Sequence, residues 1–264
     1  MLETTLHEHN CFVTLTYSEE ELPSDGSLRP RHLQLFFKRL RKLSPVRFYG
    51  VGEYGDQTWR PHYHAALFGY RDCSGGGTAY NRGGQISCCD SCSRLGEQWG
   101  RGRIHCGSLT QQSAAYVAGY VTKKMTKADD PRLAGRAPEF ARMSLRPGIG
   151  AHVMDEVAST LLEHGLENKL EDVPVSLRHG THTLPLGRYL RRRLRQRIGR
   201  SPNAPESVLE RMEEELRDLR KDSYSKAAVF QKQEGFRQAL IEQNMPRIKQ
   251  IEGRRNVYKK GRVL

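Results

Sequence analysis

Along the first half of the chain, short apolar runs with strand character are interleaved with stretches whose apolar residues recur at helical spacing. Cys11 to Tyr17 reads as a strand. Pro30 then opens a helix in which Leu33, Phe36, Phe37, Leu40 and Leu43 fall three or four residues apart, so the predicted helix covers one face of a sheet. Phe48 to Tyr54 and His62 to Phe68 read as two further strands, and the Gly55-Asp56-Gln57-Thr58 segment between them is turn chemistry that folds them into a hairpin. A glycine- and cysteine-rich insert follows over residues 72–95, then a short strand over Arg103–Cys106. Ser113 to Lys124 is alanine-rich and reads as a helix, with Ser108-Leu109-Thr110-Gln111 fitting a capping box ahead of it. Strand, helix, hairpin, strand, helix is the order of an α+β fold, a central antiparallel sheet with flanking helices.

Beyond residue 127 the pattern changes. Pro131, Gly135, Pro138, Pro147 and Gly148 among scattered arginines make 128–150 a linker or an irregular crossing segment between a domain at 1–127 and a basic, mainly helical C-terminal region at 151–264. In that region Met154 to Leu162 looks helical, and Val173 to Leu177 is a weak strand that Pro174 confines to an edge. Next comes a basic helix through Ile198, in which Leu190, Leu194 and Ile198 form a stripe that can dock on the body. Arg188, Arg191, Arg192, Arg193, Arg195 and Arg197 are its candidates for phosphate contact. Leu209, Met212, Leu216 and Leu219 recur near heptad spacing, which predicts a helical hairpin or coiled-coil contact.

Composition narrows the partner. The 264 residues carry 43 Lys and Arg against 30 Asp and Glu, a net charge of +13, and the sequence pI is about 9.6. Such a balance implies a polyanion bound in a salt-dependent way. Mean hydropathy is −0.70 and no apolar run approaches the ~18 residues of a membrane span, so no membrane role is expected. Met1 to Thr5 lacks a signal-peptide layout, which places the chain in the cytoplasm and its six cysteines as thiols or metal ligands rather than disulfides.

The candidate chemistry begins with Arg60-Pro61-His62-Tyr63-His64. Side chains two apart on a strand share a face, with Cα atoms roughly 6.6–7 Å apart, so both imidazoles reach one metal ion. A hairpin register that sets Glu53 opposite His62 and Val51 opposite His64 adds Glu53 to the set. Carboxylate with imidazole suits Mg²⁺ or Mn²⁺, Mn²⁺ being the better match to imidazole, while ligand type alone leaves zinc open. On the alanine-rich helix Tyr116, Tyr120 and Lys124 form one stripe with Lys123 beside it. Two phenols and an ammonium on one face suit phosphoryl chemistry; packing of one or both tyrosines in the core is the structural alternative.

Phe12-Val13-Thr14-Leu15-Thr16-Tyr17, then Gly52-Glu53-Tyr54-Gly55 with Arg60 to His64, then Ser113 to Lys124 resemble, in order and spacing, the three motifs of the HUH endonucleases. More narrowly they resemble the rolling-circle replication initiation proteins of microviruses, small single-stranded DNA phages of the gokushovirus type. The resemblance covers roughly the first half of the chain. It implies an RRM-like sheet that carries the histidines, with the tyrosine helix packed beside it. It further implies a Mg²⁺ or Mn²⁺ ion on Glu53, His62 and His64, and attack by Tyr116 or Tyr120 on single-stranded origin DNA. That attack leaves a 5′-phosphotyrosine and a 3′-hydroxyl, and nicking and joining alternate between the tyrosines. Lys123 and Lys124 offset transition-state charge or orient the phenolate, or else complement the helix end, and Tyr120, one turn from them, is preferred as first nucleophile. Arg60 and the basic helix contact the DNA, host polymerase and helicase are the expected partners, and the bacterial host's cytoplasm is the setting. Phage members often carry a cysteine cluster and further chain ahead of the first motif, whereas here that motif begins at Phe12. The alternatives are a plasmid initiator, relaxase or single-strand transposase of the same chemistry, and a non-catalytic basic nucleic-acid-binding module whose histidines hold no ion.

The insert is a separate question, because glycine runs at 75–77 and 83–84 lose much backbone entropy on ordering. Cys73, Cys89, Cys92 and Cys106 are a candidate structural zinc set, with Cys88 and His105 as substitutes, and four thiolates around zinc would supply that stability. A thiol-bearing loop without metal is the alternative, since only one Cys-x-x-Cys is present.

Overall fold

The computed structural model describes residues 1–55, 57–73, 79–80, 89–123, 128–227 and 245. At its centre lies strand β1 (Asn10–Tyr17), in which Cys11, Val13, Leu15 and Tyr17 are buried on one side while Phe12, Thr14 and Thr16 lie on the other. Helix α1 (Pro30–Leu43) starts at its proline, where a missing N–H costs nothing, and lays Leu33, Phe36, Phe37 and Leu40 on the buried side. Strands β2 (Arg47–Tyr54) and β3 (Pro61–Phe68) form the expected hairpin, with the backbone amide of Gly55 donating to the Arg60 carbonyl (3.1 Å). The first half continues through β4 (Ala79–Tyr80), α2 (Asp90–Trp99), β5 (Gly102–Ser108) and α3 (Gln111–Lys123), followed by β6 (Phe140–Met143). The strands assemble as β4-β5-β1-β3-β2-β6, each neighbouring pair antiparallel.

Two glycines on β2 let other elements approach the sheet. A Cβ at Gly50 would touch Leu33 Cδ2 and Phe37 Cζ at 3.4 Å, and one at Gly52 would fall 2.6 Å from Phe140 Cε1. α1 and Phe140 therefore sit where side chains would otherwise stand. The same side holds Tyr63, Leu67, Ile104, Leu95 and Trp99, all fully buried, each worth about 1.5–3 kcal/mol in transfer from water.

Three elements depart from expectation. α2 lies in what reads as an irregular insert: Cys92, Leu95 and Trp99, three and four apart, bury one face, and Trp99 Nε1 donates to the Thr16 carbonyl (3.1 Å). α3 is capped by a reciprocal box between Thr110 and Ser113, not by Ser108 and Gln111: the Ser113 amide donates to Thr110 Oγ1 (3.2 Å) and the Thr110 amide to Ser113 Oγ (2.8 Å). β6 comes from the expected linker and pairs with β2 through Phe140–Met143, anchored where Glu139 Oε1 accepts the Tyr54 amide (2.9 Å). The boundary expected at residue 127 thus falls inside a compact unit that comprises Met1–Glu167 and Val173–Arg200.

Within that unit a second core joins α4 (Val153–Glu163) to α5 (Arg188–Arg197), with a hairpin of β7 (Ser176–His179) and β8 (His182–Pro185) between them in sequence. β7 begins three residues after the expected strand, and Gly180, at φ +58°, turns the hairpin. Met154 and Leu194 are fully buried there, with Leu2, Leu6, Leu190 and Ile198 packed against them. The second unit, Asn168–Asp172 and Ser201–Leu264, holds helix α6 (Glu206–Ala227), where Glu171 accepts from Ser207 Oγ (2.8 Å) and Arg211 (3.0 Å). On α6 Leu209 and Met212 are about half exposed, and the side chains of Leu216 and Leu219 lie outside the described residues. Among the described residues no helix is long and apolar enough to cross a membrane.

Candidate active site

On the sheet face opposite α1 and α2, the antiparallel register brings polar side chains together. Glu53 pairs with His62 and Val51 with His64, while Thr16 and Thr14 of β1 lie across from His62 and His64. Glu53 Oε1 lies 2.8 Å from His62 Nε2 and 2.9 Å from His64 Nε2. Glu53 and His64 are buried and His62 is half-buried. Burial pushes the Glu53 carboxyl up, but hydrogen bonds from His62 and His64, together with their charge, outweigh it and hold it down at about 2.

The hydrogen bonds behind the imidazoles decide what these three groups can hold. His62 Nδ1 lies 3.0 Å from the Arg60 carbonyl, which can only accept, so the proton of a neutral His62 sits on Nδ1 and its Nε2 lone pair faces Glu53 Oε1. Two acceptors 2.8 Å apart require a proton or a cation to join them. Ligand atoms about 2.1 Å from an octahedral ion stand roughly 3 Å apart, close to the separations seen here. His64 is held by Thr14 Oγ1 at Nδ1 (2.9 Å) and by the Phe12 ring, stacked at 5.5 Å. The donor set therefore fits a divalent cation, with both imidazoles oriented from behind.

α3 crosses this face with Val117 buried beneath it. Tyr116, 48% exposed, sets its ring edge-on to His64 at 5.4 Å and to Phe12 at 6.4 Å. The phenol is thus at the rim of the Glu53–His62–His64 set, partly in solvent. Position 120 follows one turn along α3 on the same stripe. The side chains of Tyr120 and Lys123, and all of Lys124, lie outside the described residues.

Beside His62 a cleft of about 440 Å³ is lined by Thr16, Tyr17, Ser18, Glu19, Arg60 and Arg103. Arg60 is held there by the Tyr17 carbonyl (2.8 Å) and Glu19 (2.7 Å). Arg103 and His105 of β5 lie across from Thr16 and Thr14 and share their face. Neither Arg103 nor Thr14 stands out as a site residue in the sequence. The signal for Arg103 is alternation along β5, where Arg103 and His105 are exposed and Ile104 and Cys106 are buried.

The remaining candidates divide. Leu190, Leu194 and Ile198 dock α5 as expected, but Arg195 is itself buried, so it is unavailable to phosphates. Arg197 and Arg193 reach Asp155 of α4 (2.5 and 3.8 Å), Arg191 is half-buried, and Arg188 and Arg192 are exposed. Cys73, Cys89 and Cys92 come together, whereas Cys106 is drawn to Cys11 by a thiol hydrogen bond, and His105 lies on the other sheet face. Cys88 lies outside the described residues.

Comparison with known proteins agrees with the motif resemblance. Residues 10–125, the part that builds this sheet and carries Glu53, His62, His64 and Tyr116, belong to the family described as Replication-associated protein ORF2. Among individual relatives, the chain is similar to Replication-associated protein VP4 of Bdellovibrio phage phiMH2K, 37% identical over 139 residues, which are 48% of this chain and 43% of the relative. It is also similar to Replication-associated protein ORF2 of Spiroplasma virus 4, 32% identical over 203 residues, 71% of this chain and 58% of the relative. A third relative, Replication-associated protein ORF4 of Chlamydia phage 1, is 32% identical over 137 residues, 49% of this chain and 34% of the relative. The chain thus spans between about a third and three-fifths of the length of these proteins. No solved structure gives a significant match.

Proposed function

We propose that this protein initiates rolling-circle replication by nicking and rejoining single-stranded origin DNA through a covalent phosphotyrosine. The observation that carries the proposal is Tyr116, edge-on to His64, itself joined through Glu53 to His62. Glu53, His62 and His64 would hold Mg²⁺ or Mn²⁺, which polarises a phosphodiester oxygen and offsets charge as phosphorus is attacked. Thr14 and the Arg60 carbonyl keep the two rings oriented. The Tyr116 oxygen attacks phosphorus and gives up its proton to solvent, the bond to the 3′-oxygen breaks, and that oxygen takes a proton to become a hydroxyl. The 5′-phosphate stays on tyrosine, and reversal by a 3′-hydroxyl rejoins the strand. Tyr120 serves as the second nucleophile, with Lys123 and Lys124 offsetting charge beside it. Arg60 and Arg103 line a cleft that takes flanking phosphates. The 3′-hydroxyl then serves a host polymerase, with a host helicase opening the duplex, in the cytoplasm of a bacterial cell.

The test uses a 3′-end-labelled single-stranded oligonucleotide bearing the origin, incubated with the protein and Mn²⁺. Label that migrates with denatured protein, and fails to do so in the presence of chelator, is the expected result. Absence of any adduct under Mg²⁺ or Mn²⁺ would leave a non-catalytic nucleic-acid-binding protein.

Thr14→Val should lower affinity for Mn²⁺ about tenfold, since partners behind metal-binding imidazoles typically carry roughly 10–100-fold in affinity. Calorimetric titration with Mn²⁺ reads this directly; an unchanged affinity would show that Phe12 alone suffices to hold the ring. Replacing Arg188 and Arg192 with glutamine should weaken binding to all single-stranded sequences alike and lower the slope of log affinity against log salt by about one. An unchanged slope would show that the exposed side of α5 faces away from DNA.

A further inference from the structure

Away from the Glu53 site, on the side of the sheet covered by α1 and α2, three thiols converge. Cys73 follows β3, Cys89 is the N-cap residue of α2, and Cys92 lies in that helix's first turn; their sulfurs are all within 4.8 Å of one another. None of the described cysteines forms a disulfide. Cys73 and Cys92 are buried and Cys89 half-buried, an enclosed position for three sulfurs. Sulfurs bound to one zinc ion at about 2.3 Å stand just under ~4 Å apart in a tetrahedron, so the observed grouping requires little movement to accept it. The first turn of α2 directs backbone N–H groups outward and favours thiolate over thiol, the form that binds metal.

We propose that Cys73, Cys89 and Cys92 bind a structural zinc ion, with water or one further ligand in the fourth position. The site is distinct from the Glu53–His62–His64 set and does not depend on the reading given to it. Its effect on the fold follows from connectivity: Cys73 and Cys89 bracket residues 74–88, so one ion closes that loop at its base and ties the start of α2 to the end of the β3 segment. Closing a loop of that length removes conformational freedom from the unfolded chain, as a disulfide would, without needing an oxidising compartment. Zinc suits thiolate donors better than Mg²⁺ or Mn²⁺ does, so the two sites would separate two metals by ligand chemistry.

The experiment measures zinc in the full-length protein, purified without chelator and then dialysed against metal-free buffer. Wild type should retain about one zinc per chain, and so should a His62→Ala/His64→Ala variant. Cys89→Ser/Cys92→Ser should retain essentially none. To guard against misfolding of the cysteine variant, wild type stripped of metal and refilled with Co²⁺ should show intense thiolate-to-cobalt charge-transfer absorption that added zinc abolishes. Zinc that is absent from wild type after reconstitution, or that follows His62 and His64 instead of the cysteines, would overturn the proposal. So would cobalt bound without thiolate bands.

Discussion

The His62→Ala/His64→Ala variant is expected to form the tyrosine–DNA adduct at least about a hundredfold more slowly than wild type while keeping most of its affinity for single-stranded DNA. A bound cation contributes several kcal/mol to a phosphoryl-transfer transition state, and each ~1.4 kcal/mol is about tenfold in rate. The imidazoles supply two of the three ligands, and Glu53 by itself is a poor chelator. Non-specific affinity rests instead on arginine and lysine, which the variant retains. Because His64 packs between Phe12 and Tyr116, its loss removes aromatic contacts as well, so thermal unfolding should be measured beside activity. Undiminished adduct formation by a folded double variant would end the cation-site proposal. Glu53→Gln should weaken cation binding less, since an amide oxygen remains as a neutral donor.

The tyrosine variants should separate two nucleophiles. Tyr116→Phe/Tyr120→Phe is expected to yield no covalent adduct under any divalent cation, because the phenol oxygen is the atom that bonds to phosphorus. Removing one hydroxyl from the half-exposed Tyr116 leaves its ring contacts with His64 and Phe12 intact, so the fold should be unaffected. At least one single variant should complete a round of nicking yet fail at repeated strand transfer, which needs a second nucleophile while the first is occupied. Gel assays of single-turnover cleavage and of multiple-round joining distinguish these outcomes. If Tyr116→Phe performs full multiple-turnover nicking and joining, Tyr116 is a structural residue that braces His64, and the reaction belongs to Tyr120.

Much of the candidate site was legible because it is written in short local periods. His62 and His64 share a face by the two-residue period of a strand, and the Gly55–Thr58 turn sets the register that puts Glu53 opposite His62. The stripe of Leu33, Phe36, Phe37 and Leu40 similarly announces α1. Thr14 was hidden because its role depends on β1 pairing with β3, fifty residues away in sequence, and nothing local marks a threonine as the partner of an imidazole. β6 was hidden for a related reason: four residues between prolines make no visible period, and Phe140 becomes a strand residue only because Gly52 leaves room for its ring.

The sequence by itself determined the succession of strands and helices in the α+β core, the Glu-His-His cation set and the helix carrying Tyr116, since each follows from spacing within a strand, hairpin or helix. Tertiary structure alone decided which of several chemically equivalent groups are used. Of four cysteines in the expected set it gathers Cys73, Cys89 and Cys92 and draws Cys106 away to Cys11. Among six arginines on α5 it buries Arg195, engages Arg193 and Arg197 with Asp155, and leaves Arg188 and Arg192 to solvent. Composition cannot distinguish these residues, because a thiol or a guanidinium has the same chemistry at every position. What separates them is which neighbour packing places within reach, and that depends on contacts between elements distant in the chain.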